Sequence, residues 1–460
     1  MKLLEYDIDD KLYESNYTLV YRAKRKSDKQ SVILKILNEE YPSNNQLTRF
    51  RYEYEILKMF NSEKVIKVYS IEKIENSVAI IEEDFKGQSL NLYDYQLFSL
   101  EVILKLFLKT LECIGEIHSH SIIHKDISPS NILWNSHTDE VKIIDFGIAT
   151  KLLHEKSEII NINKLEGKLA YISPEQTGRM NRNVDYRSDF YSLGATFYEI
   201  LTNIQPFIKA KDEIELIYCH LAKEPIAPHE IDSKIPIVVS KIIQKLMSKN
   251  AEDRYQSIFG LKADLEECLN QLIKKGFIDD FSLCKKDQLN RFQIPQKLYG
   301  RNKDIEILMK SFENICNGKN ELILVSGFSG IGKSALINEI HRPIIKQKGY
   351  FISGKYDQFQ KDIPYRAIIN GFRELIQQLL TESNEKIIFW KESFKKNLGL
   401  NGQIIVDIIP ELELIIGKQE SVPVLPPNES QNRFNLVFQN FIHTLATKNH
   451  PLVIFLDDLQ

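Results

Sequence analysis

The chain opens in a β rhythm. Residues 11–23 (KLYESNYTLVYRA) and 30–37 (QSVILKIL) are rich in β-branched and aromatic residues around a polar SDKQ turn, which predicts a pair of strands. Residues 46–60 (QLTRFRYEYEILKMF) switch to helical spacing, and 66–71 and 78–81 return to strand. A small strand-rich lobe is therefore expected ahead of a helical one. Residues 100–120 read as a long amphipathic helix, followed by helices at about 187–202, 212–222, 235–248 and 257–274. The pattern weakens between 275 and 295, where a linker is expected. From 298 a new alternation begins: helix 303–316, strand 321–326, a glycine-rich turn, a helix from 333 and a strand at 350–353. Strands alternating with helices imply a parallel sheet.

Composition narrows the class. A chain of 460 residues suits roughly three domains, or two if one is large. With 43% hydrophobic and 27% charged residues, and only 19 Gly and 15 Pro, it has the make-up of a globular protein. A net charge of −3 argues against nucleic acid as a partner, because no basic excess exists to neutralise phosphates. Five scattered cysteines without a C-x-x-C pair suggest reduced thiols. The N-terminus MKLLEYDIDD carries acids too early for a signal peptide, and no apolar run approaches a membrane span. A cytoplasmic protein without a transmembrane segment is expected.

Two short stretches carry chemistry. IIHKDISPSNILW places Asp126 after His-x and Asn131 five residues later; VKIIDFGIAT places Asp145 before Phe-Gly, after an apolar strand over 141–144. Phosphoryl transfer needs such parts: a carboxylate to orient or deprotonate an acceptor hydroxyl, and oxygen ligands for Mg²⁺ on the phosphates. The arrangement resembles the catalytic core of eukaryotic-like Ser/Thr protein kinases. That resemblance covers about residues 8–273 and implies a bilobal α+β fold. It implies Lys35 as the lysine on the α- and β-phosphates of ATP and Glu53 as its helix partner. Glu55 is the alternative, with helix register favouring Glu53. It further implies Asp126 as catalytic base and Asn131 and Asp145 as Mg²⁺ ligands. Glu175, in Ser-Pro-Glu, would pair with Arg254, and Asp189 would support the catalytic loop from beneath.

Three departures stand out. Where the family's phosphate-covering loop has three glycines, this chain has Tyr13, Ser15 and Thr18. Ser128 replaces a lysine two residues after the catalytic aspartate, and Lys168 stands where threonine is usual. Ammonium and hydroxyl look exchanged, so Lys168 is a catalytic candidate that would bring positive charge to the transferring phosphate. The alternative is a solvent-facing loop lysine. Thr150 and Ser157 are candidate phosphoacceptors, with Lys125 where an arginine usually reads the phosphate. His118, His120 and His124 lack a local Cys or carboxylate to complete a zinc set.

A second phosphate site follows. GFSGIGKS (Gly327, Gly330, Gly332, Lys333, Ser334) is G-x-x-x-x-G-K-S between a predicted strand and helix. Backbone N–H groups would hold phosphate oxygens, Lys333 would reach the β- and γ-phosphates, and Ser334 would ligate Mg²⁺. PLVIFLDD ends an apolar strand in Asp457, to hold Mg²⁺ through water, and Asp458, to orient a hydrolytic water; the alternative is a buried strand capped by solvated acids. With LYGR at 298–301 and residues 351–365, this part resembles signal-transduction ATPases related to AAA proteins. The order of the two parts is similar to large bacterial hybrid signalling proteins that add a GAF module and a histidine kinase.

The expected organisation is a kinase domain at 8–273, a linker at 274–297 and an α/β P-loop domain at 298–460, incomplete after its second carboxylate strand. That end suggests a fragment of a longer protein with little ATP hydrolysis of its own. The expected function is an ATP- and Mg²⁺-dependent protein serine/threonine kinase acting on protein substrates, with a regulatory ATP-binding domain. The rival is a pseudokinase scaffold gated by nucleotide; small-molecule phosphorylation is a third reading.

Overall fold

The computed structural model describes residues 5–15, 17–39, 42–74, 77–151, 167–178, 184–287, 300–328, 331–338, 344, 349–355, 366–380, 384–423, 425–448 and 450–457. The first lobe is an antiparallel sheet of β1 (Tyr6–Glu14), β2 (Thr18–Arg25), β3 (Ser31–Leu37), β4 (Val68–Ile74) and β5 (Ser77–Glu83), in the order β1-β2-β3-β5-β4. The stretch 11–23, expected as one strand, is instead a hairpin corner. Ser15 N–H donates to Thr18 O at 2.9 Å, and the Ser15 hydroxyl accepts from the N–H groups of Tyr17 and Thr18. A turn built on a serine side chain carries no glycine or proline to announce it.

Alternation along β3 sorts its side chains. Val32, Leu34 and Ile36 are fully buried on one face, which leaves Ile33 and Lys35 on the other. Opposite that second face lies α1 (Asn44–Leu57), started by a capping box in which Ser43 and Gln46 satisfy each other's backbone N–H. Phe50, Glu53, Ile56 and Leu57, at helical spacing, are its buried positions, whereas Glu55 is exposed.

The second lobe contains α2 (Leu100–Ser119), α3 (Tyr186–Thr202), α4 (Glu213–Ala222), α5 (Pro228–Ile231), α6 (Ile237–Leu246) and α7 (Ile258–Lys275). Helix α3 is buried around nearly its whole circumference, which makes it the core of the lobe. At Gly194 an added Cβ would stand 2.7 Å from Leu246 Cβ, so glycine lets α3 and α6 approach closely. Short strands β6 (Gln88–Ser89), β7 (Ile122–Ile123), β8 (Ile132–Asn135), β9 (Glu140–Ile143) and β10 (Thr150–Lys151) pair as β6-β8-β9 and β7-β10 and fix the loops between the lobes.

Residues 276–287 fall in the stretch expected to be linker, yet they fold back onto this lobe. Ile278, Phe281 and Leu283 pack on its core, and Asp287 accepts from Gln256 N–H and the Ser257 hydroxyl, both at 2.8 Å, at the start of α7. Beyond them, helix Asn302–Cys316 and short helix Lys333–Asn338 accompany a parallel pair, β11 (Tyr350–Lys355) and β12 (Leu452–Asp457), in register Ile352 to Ile454. The strand expected at 321–326 is not part of the sheet: these residues carry no ladder, and Leu322 and Leu324 are 86% and 79% exposed. Val325 alone of the run packs on a small core with Leu308 and Phe312. Helices Arg366–Leu379, Asn384–Leu398 and Pro427–Leu445, built around Phe372, Trp390, Phe394 and Phe441, were not anticipated. Among the described residues no helix is long and apolar enough to cross a membrane.

Candidate functional site

The cleft between the first two lobes gathers charged groups from five elements. From β3, Lys35 Nζ reaches Glu53 Oε1 on α1 at 2.6 Å and Asp145 Oδ1, just past β9, at 2.9 Å. Glu53 also accepts from Phe146 N–H at 3.1 Å, which ties α1 to the Asp-Phe-Gly turn. Burial alone would lower the Lys35 pKa, but the charges of Asp145 and Glu53 outweigh it and hold the ammonium above its ordinary value. In turn, Lys35 holds the Asp145 carboxyl down at about 2. Asp145 sits at φ 67, in the left-handed region, a strained backbone for a non-glycine residue. That turn buries Phe146 against Phe60 and His124 while leaving the Asp145 side chain 45% exposed.

The loop between β7 and β8 forms the other wall. Beneath it, buried Asp189 of α3 accepts from the N–H groups of His124 (2.9 Å) and Lys125 (2.8 Å), and from His118 Nε2 at 2.8 Å. Burial would raise its pKa; these donors pull it below the usual carboxylate value. His124 is fixed in one tautomer by its partners: Nε2 donates to Ile144 O at 3.1 Å and Nδ1 accepts from Asp126 N–H at 3.3 Å. Burial keeps it neutral by lowering its pKa. Asn131 Nδ2 donates to Asp126 O at 2.8 Å and to Asp126 Oδ2 at 2.7 Å, so the carboxylate has a set orientation.

Lys168 closes the site. Its N–H donates to Asp126 Oδ1 at 3.0 Å, and its Nζ lies 3.0 Å from Ser128 Oγ, 2.6 Å from Ser130 Oγ and 2.8 Å from Asn131 Oδ1. The ammonium thus stands beside Ser128, although the side chain is 39% exposed. Sequence reasoning missed Ser130, although the Ser-Pro-Ser spacing was a visible signal. It also missed Glu82, an acid 8% exposed on the same face of the sheet as Lys35. Lower down, Arg254 grips Glu175 with two bonds of 2.6 and 2.8 Å in a buried pair. Thr150 lies in β10; Ser157 lies outside the described residues.

The donor set suits a hard cation. Asp145 offers a half-exposed carboxylate and Asn131 an amide oxygen, and Asn131 O accepts from Ile144 N–H at 3.0 Å, which links the two segments. Mg²⁺ on nucleotide phosphates typically takes only one or two such protein oxygens. In the P-loop, Lys333 Nζ donates to Gly327 O at 2.9 Å and Phe328 O at 3.1 Å, ahead of its helix. Gly332 has φ 92, and Asp457 ends β12. Gly330, Asp458 and the Ser334 side chain lie outside the described residues.

Comparison with known proteins fits this geometry. A family model described as protein kinase domain matches residues 6–270, and one described as AAA ATPase domain matches 297–460. The chain is 41% identical over 310 residues to hybrid signal transduction histidine kinase G of Dictyostelium discoideum, covering 63% of this chain and 9% of that one. It is 28% identical over 402 residues to histidine protein kinase 1 of Candida albicans, covering 78% of this chain and 16% of that one. With a probable serine/threonine-protein kinase of Clostridium perfringens it shares 30% over 298 residues, covering 63% and 42%. The chain spans less than half the length of each of these relatives.

Proposed function

Because the chain belongs to the protein kinase family, we propose that its first domain transfers the terminal phosphate of ATP to serine and threonine hydroxyls of proteins. One observation carries the reading: Asp126 is presented by Asn131 and Lys168 on one wall of a cleft whose other wall is the Lys35–Glu53–Asp145 set. In this reading Asp126 Oδ2 takes the proton of the acceptor hydroxyl as its oxygen attacks phosphorus. Lys35, fixed by Glu53, holds the non-transferred phosphates, and Lys168 places an ammonium near the transferring one. Asn131 and Asp145 would hold Mg²⁺, which neutralises phosphate charge when bound.

The P-loop domain is proposed to bind ATP and to bias kinase output, through Lys333, the Ser334 hydroxyl, Asp457 and Asp458. Likeness to a hybrid histidine kinase supports a histidine kinase module in a larger signalling protein, and a GAF module is proposed on the order of domains alone. One observation favours the rival, a nucleotide-gated scaffold. The Ser15 hydroxyl occupies the N–H groups of Tyr17 and Thr18, donors that a phosphate-covering turn would offer to ATP. The test is label transfer from ATP to the chain and to generic protein substrates, with phosphoamino-acid analysis. Phosphoserine or phosphothreonine that vanishes in Asp126→Asn supports the kinase; ATP binding without transfer supports the scaffold.

A further inference from the structure

Lys168 is held by an oxygen that the kinase reading assigns to another cation. An ammonium has three protons to donate, and Ser128, Ser130 and Asn131 Oδ1 accept them at 3.0, 2.6 and 2.8 Å. Asn131 cannot rotate away, because its Nδ2 is committed twice to Asp126. Its Oδ1 is therefore fixed toward Lys168, and that is the atom through which Asn131 would ligate Mg²⁺. Asp126 Oδ2 lies 3.5 Å from the same ammonium. Two cations cannot share one amide oxygen at contact distance without strong repulsion.

We propose that Lys168 is a tethered cation: in the nucleotide-free protein it occupies the metal-facing oxygen of Asn131, and Mg²⁺–nucleotide displaces it toward the terminal phosphate. The inference rests on the kinase reading and deepens it. Backbone and side chain are separately anchored, which makes the exchange feasible. The Lys168 N–H stays on Asp126 Oδ1, and Gly167 packs at φ 94, where a Cβ would stand 3.3 Å from that same oxygen. The Lys168 side chain is 39% exposed. Metal loading and the lysine's departure are then linked, and each opposes the other to the same degree.

ADP isolates the competition, because it lacks the phosphate that would receive the ammonium. The measurement is binding of a fluorescent ADP at rising Mg²⁺ to the full chain carrying Lys333→Ala, which silences the P-loop, with Lys168 intact, Lys168→Met or Lys168→Arg. The proposal expects the Mg²⁺ midpoint to fall about fivefold in Lys168→Met, the scale of one lost charged contact, and to stay near the Lys168-intact value in Lys168→Arg. Lys168→Gln carries the test should the methionine variant not fold. An unmoved or raised midpoint overturns the proposal, as does an equal fall in Lys168→Arg, since charge would then be irrelevant. A Lys333→Ala chain with Lys168 intact that binds no nucleotide at any Mg²⁺ concentration overturns the kinase reading itself, a distinct result.

Discussion

Glu82 shows what a single residue can hide. In the sequence it is one acid of a Glu-Glu-Asp run, the signature of a solvated strand end. Pairing of Ile33 with Glu82, two residues from the Lys35–Ile80 pair, turns it onto the cleft face. Burial pushes its carboxyl up to about 8; Lys35 opposes the rise, while Glu53, Asp145 and Glu83 add to it. A carboxyl raised in the folded state binds its proton where the unfolded chain has released one, so folding stability falls as pH rises from about 4.5 to 8. Glu82→Gln removes that dependence. Its melting temperature is expected to exceed wild type at pH 8, by a gain on the order of 2 kcal/mol, and to match it near pH 5. Thermal melts across that range check it; parallel curves for the two proteins would contradict it. Asp126, Asn131 and Asp145 could be singled out because phosphate chemistry asks for such types at such spacing, and Lys35 by resemblance; the structure brings all four to one cleft. Glu82 could not, because its meaning comes only from cross-strand register.

At the scale of elements, helices of the second lobe were legible where apolar spacing ran unbroken. The expected 187–202 and 257–274 are observed as Tyr186–Thr202 and Ile258–Lys275. Elements shaped by side-chain chemistry were not, as the Ser15 turn shows. The strap over 276–287 is a similar case: it lacks a helical or strand period and so reads as linker, but its apolar side chains pack on the lobe and Asp287 returns to the start of α7. Gly260 records that contact, since a Cβ there would lie 2.4 Å from Asp287 Oδ1 and 2.6 Å from its Cα. Asp287→Ala removes two hydrogen bonds and should cost about 1–3 kcal/mol. Gly260→Ala should cost a similar amount by forcing the strap off. Calorimetric melts of both variants with unchanged transitions would show that the strap does not bind this lobe.

The whole molecule pairs two phosphate-binding designs on one chain. In each, a lysine ammonium is held by oxygens of its own neighbourhood: Lys168 by Ser128, Ser130 and Asn131, and Lys333 by the carbonyls of Gly327 and Phe328. The P-loop was legible as a motif, and the parallel pairing of β11 with β12 as an alternation of strands and helices, whereas the strand expected at 321–326 joins no ladder. Label transfer from ATP to the chain and to generic proteins, with wild type, Asp126→Asn and Lys333→Ala side by side, tests the central claim most directly. The account predicts a loss of at least about 100-fold in Asp126→Asn and persistent transfer in Lys333→Ala. Transfer that survives in Asp126→Asn but disappears in Lys333→Ala would contradict it and move the chemistry to the second domain.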